Sequence, residues 1–420
     1  MSPLSLQQWL DYLLTLHNKE IDLGLERVRK VAEELDVLRP APFVITVAGT
    51  NGKGSSVAML VSIIRAAGCR VGQYTSPHIL KFNERIQIDG DMVDDETLVA
   101  AFQRVEEARK QVPLTYFEFT TLVALECFGN EALDCVVLEV GLGGRLDAVN
   151  IVDADATLIT AIDIDHSDWL GDNREAIGYE KAGVMRPDQL SVCSDPRPPK
   201  SLLDFAQRHH VNLKRLGVDF HYKKENGHNQ AWWFCNTSDE LYPYPNLQGD
   251  FQIQNASGVL ALLQYQTRFK IDRDAITKGL QAVQHSGRLQ TLNLDNQAWL
   301  FDVAHNPQAA QALAEFLSQT PSTKRLAIFS AMADKDMQPM VMAIKPYVED
   351  WVLVDLDIER AASLADLQEV LRWCRIPEER IQSFATMSFA IEYVKQSEYR
   401  DVLVFGSFIT VAQAMECICG

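Results

Sequence analysis

The stretch VITVAGTNGKGSS, residues 44 to 56, leaves the chain few ways to fold. Its first half is an apolar run suited to a buried strand. Its second half is glycine and small polar residues around one lysine, and a helical pattern ending near Gly68 follows. Strand, loop and helix in that order aim backbone N–H groups and a positive helix end at one point, which suits an anion. Gly49, Gly52 and Gly54 allow close approach of the main chain, Lys53 adds a full charge, and Thr50 or the following serines can supply hydroxyls. The strict phosphate-loop pattern GxxxxGK[ST] is not met, because Gly49 stands only three before Gly52 and Gly54 follows the lysine. The bland alternative is a strand-to-helix turn with a solvated lysine. The order of the elements favours phosphate.

Around this loop the pattern reads as α/β. Two amphipathic helices lie within residues 4–38, and Pro40 and Pro42 stop helix before the first strand. Apolar runs RVGQYT, DCVVLEV and ATLITAI alternate with helical stretches, as in a parallel sheet covered on both faces. The Asp-Gly of ERIQIDGDMV suggests a hairpin. Residues 190–246 read as strand, helix and a small meander of exposed strands, and residues 251–283 as helical. From about Arg288 a second α/β pattern starts: WLFDVA, helix, RLAIFSA, helix, DWVLVDL, helix, DVLVFGS and a last helix. At 420 residues two domains are expected, here 1–287 and 288–420.

Composition removes several classes. With 47% apolar and 23% charged residues the chain reads as soluble and globular, and no apolar run approaches a membrane span. MSPLSLQQWLDYLL lacks the marks of a signal peptide, so a cytoplasmic location is expected. A net charge of −18 argues against nucleic acid while leaving room for anionic small molecules in a locally cationic cleft. The eight cysteines form no CxxC pair, so neither zinc nor a redox dithiol is suggested. Without heptads or a broad apolar stripe, a monomer is expected.

Polar residues gather just past the apolar strands, where parallel sheets bind ligands. Ser76 follows one in YTSPH, Glu139 ends another, and Asp163, Asp165 and His166 follow a third. These are oxygen-rich candidates for Mg2+, although a turn serine, a capping acid and a hydrogen-bonded histidine are the ordinary readings. Lys181 in REAIGYEKAG reads most simply as a solvent-facing helix lysine. Arg145 and Arg288 stand beside glycines, positions suited to phosphate or carboxylate. Asp302, His305 and Asn306 follow a strand of the second unit, and the GSF at 406–408 is placed likewise. Polar strand ends in both units suggest a ligand cleft between them.

Taken together, AGTNGKGS, YTSPH, LTYFE, LEVGLGGRLDA, DHSDWLG, EKAG, GDFQIQNA, FDVAHNP and GSF resemble the bacterial bifunctional dihydrofolate synthase/folylpolyglutamate synthases, within the Mur-type ATP-dependent amide ligases. The resemblance runs over about residues 6–416. It implies an N-terminal P-loop parallel-sheet ATPase domain of Mur-ligase type and a smaller C-terminal Rossmann-like domain. It implies ATP phosphates on Thr50, Asn51, Gly52 and Lys53, and nucleotide contacts from Asn255, Arg288 and Asp302. Mg2+ would lie on Ser76, Glu139 and His166, with a second Mg2+ on a carbamylated Lys181, and a monovalent cation is a further expectation. Dihydropteroate would lie against Glu20, Ile21, Asp22 and Leu23, against Thr115, Tyr116, Phe117 and Glu118, and against Leu146, Asp147 and Ala148. The implied reaction joins L-glutamate to dihydropteroate and to reduced folates through an acyl phosphate, with Lys53 and Lys181 catalytic and His305 a candidate base. A monofunctional folylpolyglutamate synthase and a P-loop phosphotransferase are the rivals. Ser286-Gly287-Arg288 departs from the family's Pro-Gly-Arg, and Ile409 stands where histidine is common after GSF.

Overall fold

The computed structural model describes residues 4–17, 19, 21–225, 231–320 and 324–419. It divides into two compact units, Met1–Asn246 with Gln252–Gln284 and Leu247–Phe251 with His285–Gly420.

In the first unit helices α1 (Leu6–Leu13) and α2 (Glu26–Leu35) precede strand β1 (Val44–Ala48) and helix α3 (Lys53–Ala66). Then come β2 (Val71–Tyr74), the hairpin β3 (Ile86–Ile88) and β4 (Asp91–Met92), α4 (Asp95–Arg109), α5 (Tyr116–Gly129), β5 (Cys135–Glu139) and β6 (Ala156–Ile159). Helices α6 (Ser167–Leu170) and α7 (Arg174–Ala182), β7 (Leu190–Cys193), α8 (Lys200–Arg208) and β8 (Asn212–Arg215) complete the sheet, whose order is β4-β3-β2-β5-β1-β6-β7-β8. From β2 to β8 every neighbouring pair is parallel, while β3 and β4 are antiparallel. The central strands are buried along their whole length, which is why they read as unbroken apolar runs. Register brings their C-terminal ends level: Val47 lies opposite Glu139, Ala48 opposite Ile159 and Tyr74 opposite Leu138. The loops starting at Gly49, Thr75, Val140 and Thr160 therefore leave one edge of the sheet together.

A second sheet of this unit, β9 (His221–Lys224), β10 (Ala231–Cys235) and β11 (Asp239–Pro243), is the expected meander, exposed along β9 but with a buried face on β10. Trp232, Phe234 and Tyr242 are fully buried, because alternation along AWWFC sends every second ring inward. Helices α9 (Phe251–Tyr265) and α10 (Arg273–Ala282) follow.

The second unit contains β12 (Gln290–Leu294), β13 (Gln297–Asp302), α11 (Pro307–Gln319), β14 (Arg325–Phe329), α12 (Met337–Ile344), β15 (Asp350–Val354) and α13 (Leu364–Trp373). It ends with β16 (Ile381–Phe384), α14 (Met387–Lys395), β17 (Asp401–Phe405) and α15 (Phe408–Cys419). Its sheet runs β12-β13-β17-β14-β15-β16, with only β12 antiparallel. The sequence pattern missed β12, β16 and α14. Both missed strands lie at sheet edges and alternate or expose their residues, so neither forms an apolar run. Among the described residues no helix is long and apolar enough to cross a membrane.

Helix α10 lies against the helix that leaves the glycine loop. A Cβ on Gly279 would stand 2.5 Å from the Cα of Ile63, and Ser62 Oγ donates to the Gly279 carbonyl at 2.8 Å. Gly279→Ala is therefore expected to destabilise the protein by about 1–3 kcal/mol in urea unfolding. Gly129→Ala, at the open end of α5 where a Cβ meets nothing within 4 Å, should cost nothing.

Candidate active site

The glycine loop is shaped by two close approaches. Gly49, with φ of 154°, passes so near Thr160 that an added Cβ would fall 1.8 Å from its Oγ1. Gly52, with φ of 89°, admits Asn255, whose Oδ1 would lie 2.4 Å from a Cβ there. Thr160 Oγ1 donates to the Asn51 carbonyl at 2.8 Å. Thr50 N donates to Ala161 O at 2.7 Å, and Thr50 Oγ1 donates to Asp163 O at 2.9 Å while accepting from Asp163 N at 3.0 Å. Asn255 Nδ2 donates to Gln252 Oε1 at 2.9 Å, and Gln252 Nε2 to Ser55 Oγ at 3.2 Å. The loop is thus tied to β6 and α9, and no side chain caps the first turn of α3. An uncapped helix N-terminus of this kind favours an anion.

Two lysines meet over the loop. Lys53 Nζ donates to the carbonyls of Gly49 at 3.0 Å and Thr50 at 3.1 Å. Lys181 Nζ donates to the same Gly49 carbonyl at 2.8 Å. Lys181 is not the solvent-facing residue its helix suggested: it is 3% exposed. Burial first, then the charge of Lys53, pulls its pKa down to about 7, against the opposing pull of Asp165 and Asp147. Arg145 meets a carboxylate of the chain itself, Glu180, with Nη2 2.9 Å from Oε1.

Glu139, buried at the end of β5, accepts from Ser76 N at 3.2 Å, which brings those two expected ligands together. His166 is half-buried just past β6, with φ of 52°, and its N–H donates to Asp165 Oδ1 at 2.8 Å. Among the described residues no group of three or more His, Cys, Asp or Glu side chains forms a metal nest. A buried carboxylate bonded to the backbone of a serine nevertheless fits Mg2+, which takes few protein oxygens and keeps its waters.

The three segments expected to hold the pterin converge. Arg27 pairs with the Asp22 carboxylate, and its Nη2 donates to Asp22 O at 2.6 Å and to Glu118 Oε1 at 3.0 Å. Thr115 and Glu118 form a capping box that starts α5. Phe117 covers Gly141, where a Cβ would fall 2.6 Å from its Cζ. Asp147 is buried, accepting from Leu142 N at 2.8 Å and Val149 N at 3.0 Å, and burial raises its pKa to about 6. Ile21, Leu23, Tyr116 and Leu146 are half-buried and Ala148 is buried. Glu20 lies outside the described residues.

In the second unit, Asp302 at the end of β13 accepts from Leu289 N at 3.0 Å and Ala304 N at 2.9 Å, and burial raises its pKa against the pull of Arg288. The Arg288 guanidinium lies 5.2 Å from the Phe408 ring centroid, and the His305 ring 5.6 Å from the same ring. His305 Nδ1 is 2.9 Å from the Val303 carbonyl, so Nδ1 carries the proton of the neutral ring and Nε2 is the basic nitrogen. His285, half-buried, is kept neutral by loss of solvent and by Arg288, its pKa lowered to about 3. Sequence reasoning missed Thr160 and Gln252, of which only Gln252 left a trace, one turn before Asn255 in GDFQIQNA; Phe408 belongs to the GSF already singled out, but without a role for its ring.

A parallel-sheet unit with a glycine loop, followed by a second α/β unit, is the build of Mur-type ATP-dependent ligases, and residues 287–408 match the family model "Mur ligase, glutamate ligase domain". The dihydrofolate synthase/folylpolyglutamate synthase of Escherichia coli (strain K12) is 41% identical over 420 residues, covering 99% of this chain and 96% of that protein. The structure of E. coli FolC in complex with DHPP and ADP superposes with a TM-score of 0.91 at 40% identity, covering 99% of this chain and 98% of that one. A bifunctional folylpolyglutamate synthase/dihydrofolate synthase with Mn, AMPPNP and L-glutamate bound gives 0.90 at 39% identity, covering 99% and 98%. The chain belongs to the dihydrofolate synthase/folylpolyglutamate synthase family.

Lys181 makes a testable pH signature. Its folded pKa of about 7 lies below the ordinary lysine value of 10.5, so across that window the unfolded chain holds a proton the folded chain has lost. Stability from this group therefore rises with pH from about 7 and is missing below it. Paired melting curves should show the native chain gaining on Lys181→Met as pH climbs from 7 to 10. A gap that does not change with pH would mean Lys181 titrates like a surface lysine.

Proposed function

We propose that this chain joins L-glutamate to dihydropteroate, and to the γ-carboxylate of reduced folates, with ATP as the phosphoryl donor. The observation that carries the reading is the convergence of Lys53 and Lys181 on the Gly49 carbonyl at an uncapped helix N-terminus. Thr50, Asn51, Gly52 and Lys53 would cradle the phosphates, with Asn255 behind Gly52, and Arg288 and Asp302 are the nucleotide contacts of the second unit. Ser76, Glu139 and His166 would hold Mg2+, which supplies charge neutralisation to the phosphoryl oxygens. Ligands named for the relatives, ADP with DHPP and AMPPNP with Mn and L-glutamate, support this assignment.

The substrate carboxylate oxygen attacks the γ-phosphorus in line, and the bond to ADP breaks as the acyl phosphate forms. Lys53 stabilises the charge gathering on the transferring group. The glutamate α-amine, once neutral, attacks the acyl carbon. The carbon–oxygen bond to phosphate breaks, and the amide nitrogen gives up its proton to a base. His305 is proposed for that base because its Nε2 is the unprotonated nitrogen of the neutral ring. A lysine that is partly neutral near pH 7 can also attack CO2, forming an N–C bond and releasing a proton. The resulting carbamate on Lys181 would be an anionic oxygen ligand for a second Mg2+. Ile21 to Leu23, Thr115 to Glu118 and Leu146 to Ala148 are proposed to enclose the pterin.

Mass spectrometry of products after incubation with ATP, glutamate and either dihydropteroate or a reduced folate should show a one-glutamate gain on both acceptors. Gain on the folate alone would leave a monofunctional ligase, and phosphorylated acceptor or bare ADP release would overturn the reading. Lys53→Ala is expected to lower kcat by about 100-fold or more, since it removes a charge that acts in the transition state. Near-normal turnover would remove Lys53 from the mechanism.

A further inference from the structure

Arg85 is a buried cation with no acid on it among the described residues. It is 8% exposed, and its Nε donates to Nδ1 of His78 at 2.8 Å. Its guanidinium carbon stands 5.7 Å from the Phe82 ring centroid and 5.6 Å from that of Tyr116. Among the described residues neither terminal nitrogen has a hydrogen-bond partner, and no carboxylate pairs with it. The adjacent acid, Glu84, is already occupied: it accepts from Ile79 N at 2.8 Å, Leu80 N at 2.7 Å and Lys81 N at 2.8 Å.

Buried charges in proteins are held by a counter-charge, and a guanidinium edge with two N–H groups matches a carboxylate. The position is also specific. Thr75 N donates to the Arg85 carbonyl at 2.9 Å, so the residue is fixed beside Ser76, while its side chain rests on Tyr116 of the segment proposed for the pterin. His78 holds the other edge, its Nδ1 accepting from Arg85 Nε.

We propose that Nη1 and Nη2 of Arg85 grip the carboxylate of the acid substrate and orient it for activation. This rests on the ligase reading above and adds to it the group that recognises the acid's charge. Calorimetric titration of the full chain, with Mg2+ and AMPPNP present, compares dihydropteroate with the same dihydropterin ending in an unsubstituted phenylamine, which lacks only the carboxylate. The native chain should bind the acid about tenfold or more tightly than the neutral analogue, the scale of a charged hydrogen-bonded pair. Arg85→Gln, which keeps an amide N–H for His78, should bind the two alike with AMPPNP affinity unchanged. An equal loss for both ligands, or a loss confined to AMPPNP, would make Arg85 a support for its neighbours and overturn the proposal. Should Arg85→Gln fail to fold, Arg85→Lys carries the test: it keeps the charge without the fork and should lose part of the preference, whereas native-level preference overturns the proposal. Binding of neither ligand by the native chain would sink the ligase reading, and this proposal with it.

Discussion

The carbonyl of Gly49 accepts from two amines, Lys53 at 3.0 Å and Lys181 at 2.8 Å, and the electrostatics of the first unit follow from that crowding. Two ammonium groups that close, one of them buried, repel strongly in a medium less polar than water. The burial of Lys181 and the charge of Lys53 act in the same direction, and the proton comes off Lys181 more easily than off a free lysine. The opposite shift occurs at Asp147, whose pKa climbs through burial despite the charge of Lys53. An acid and a base in one site are thus both brought toward neutrality, a condition in which small changes of ligand charge move protons.

Such crowding needs a backbone that stays put. The absence of side chains at Gly49 and Gly52 lets Thr160 and Asn255 press directly on the loop, and hydrogen bonds from Thr50 and Thr160 lock it to the strand beyond. The loop is therefore organised by the protein before any ligand arrives, which is the condition in which electrostatic catalysis gains most. The level C-terminal ends of β1, β5 and β6 add Glu139 and the segment from Asp163 to His166 to the same edge.

Much of this was legible because central parallel strands are buried on both faces and leave a plain apolar signature. The glycine loop, Ser76, Glu139 and His166 were each found by their position just past such a run. What escaped detection depends on distant partners. Lys181 sits in a short helix with an acid on one side, and nothing local shows that Gly49, 132 residues away, lies beside its amine. Arg85 reads as one more polar residue in FNERIQ; its burial is made by Phe82 nearby and by Tyr116 across the fold. Strands β12 and β16 failed for a different reason, since an edge strand need not be apolar. Asp302 and His305 were legible as a strand end, but the tautomer of His305 follows from the bend of its own backbone onto Val303, which no residue pattern encodes.

The acidic surface and the anionic substrates are reconciled by where the cations sit. A chain of net charge −18 repels anions at long range, and solvent salt screens that repulsion within about 10 Å. Selection among anions must then come from cations placed out of solvent, where screening is weak and a charge left unpaired is costly. Arg85 is of this kind: it is buried, and its Nε faces an imidazole nitrogen. That neutral acceptor does not compensate a full positive charge. The carboxylate proposed to meet it would, so in that proposal the fold holds part of its binding energy as a buried charge until a substrate of the right sign and shape arrives.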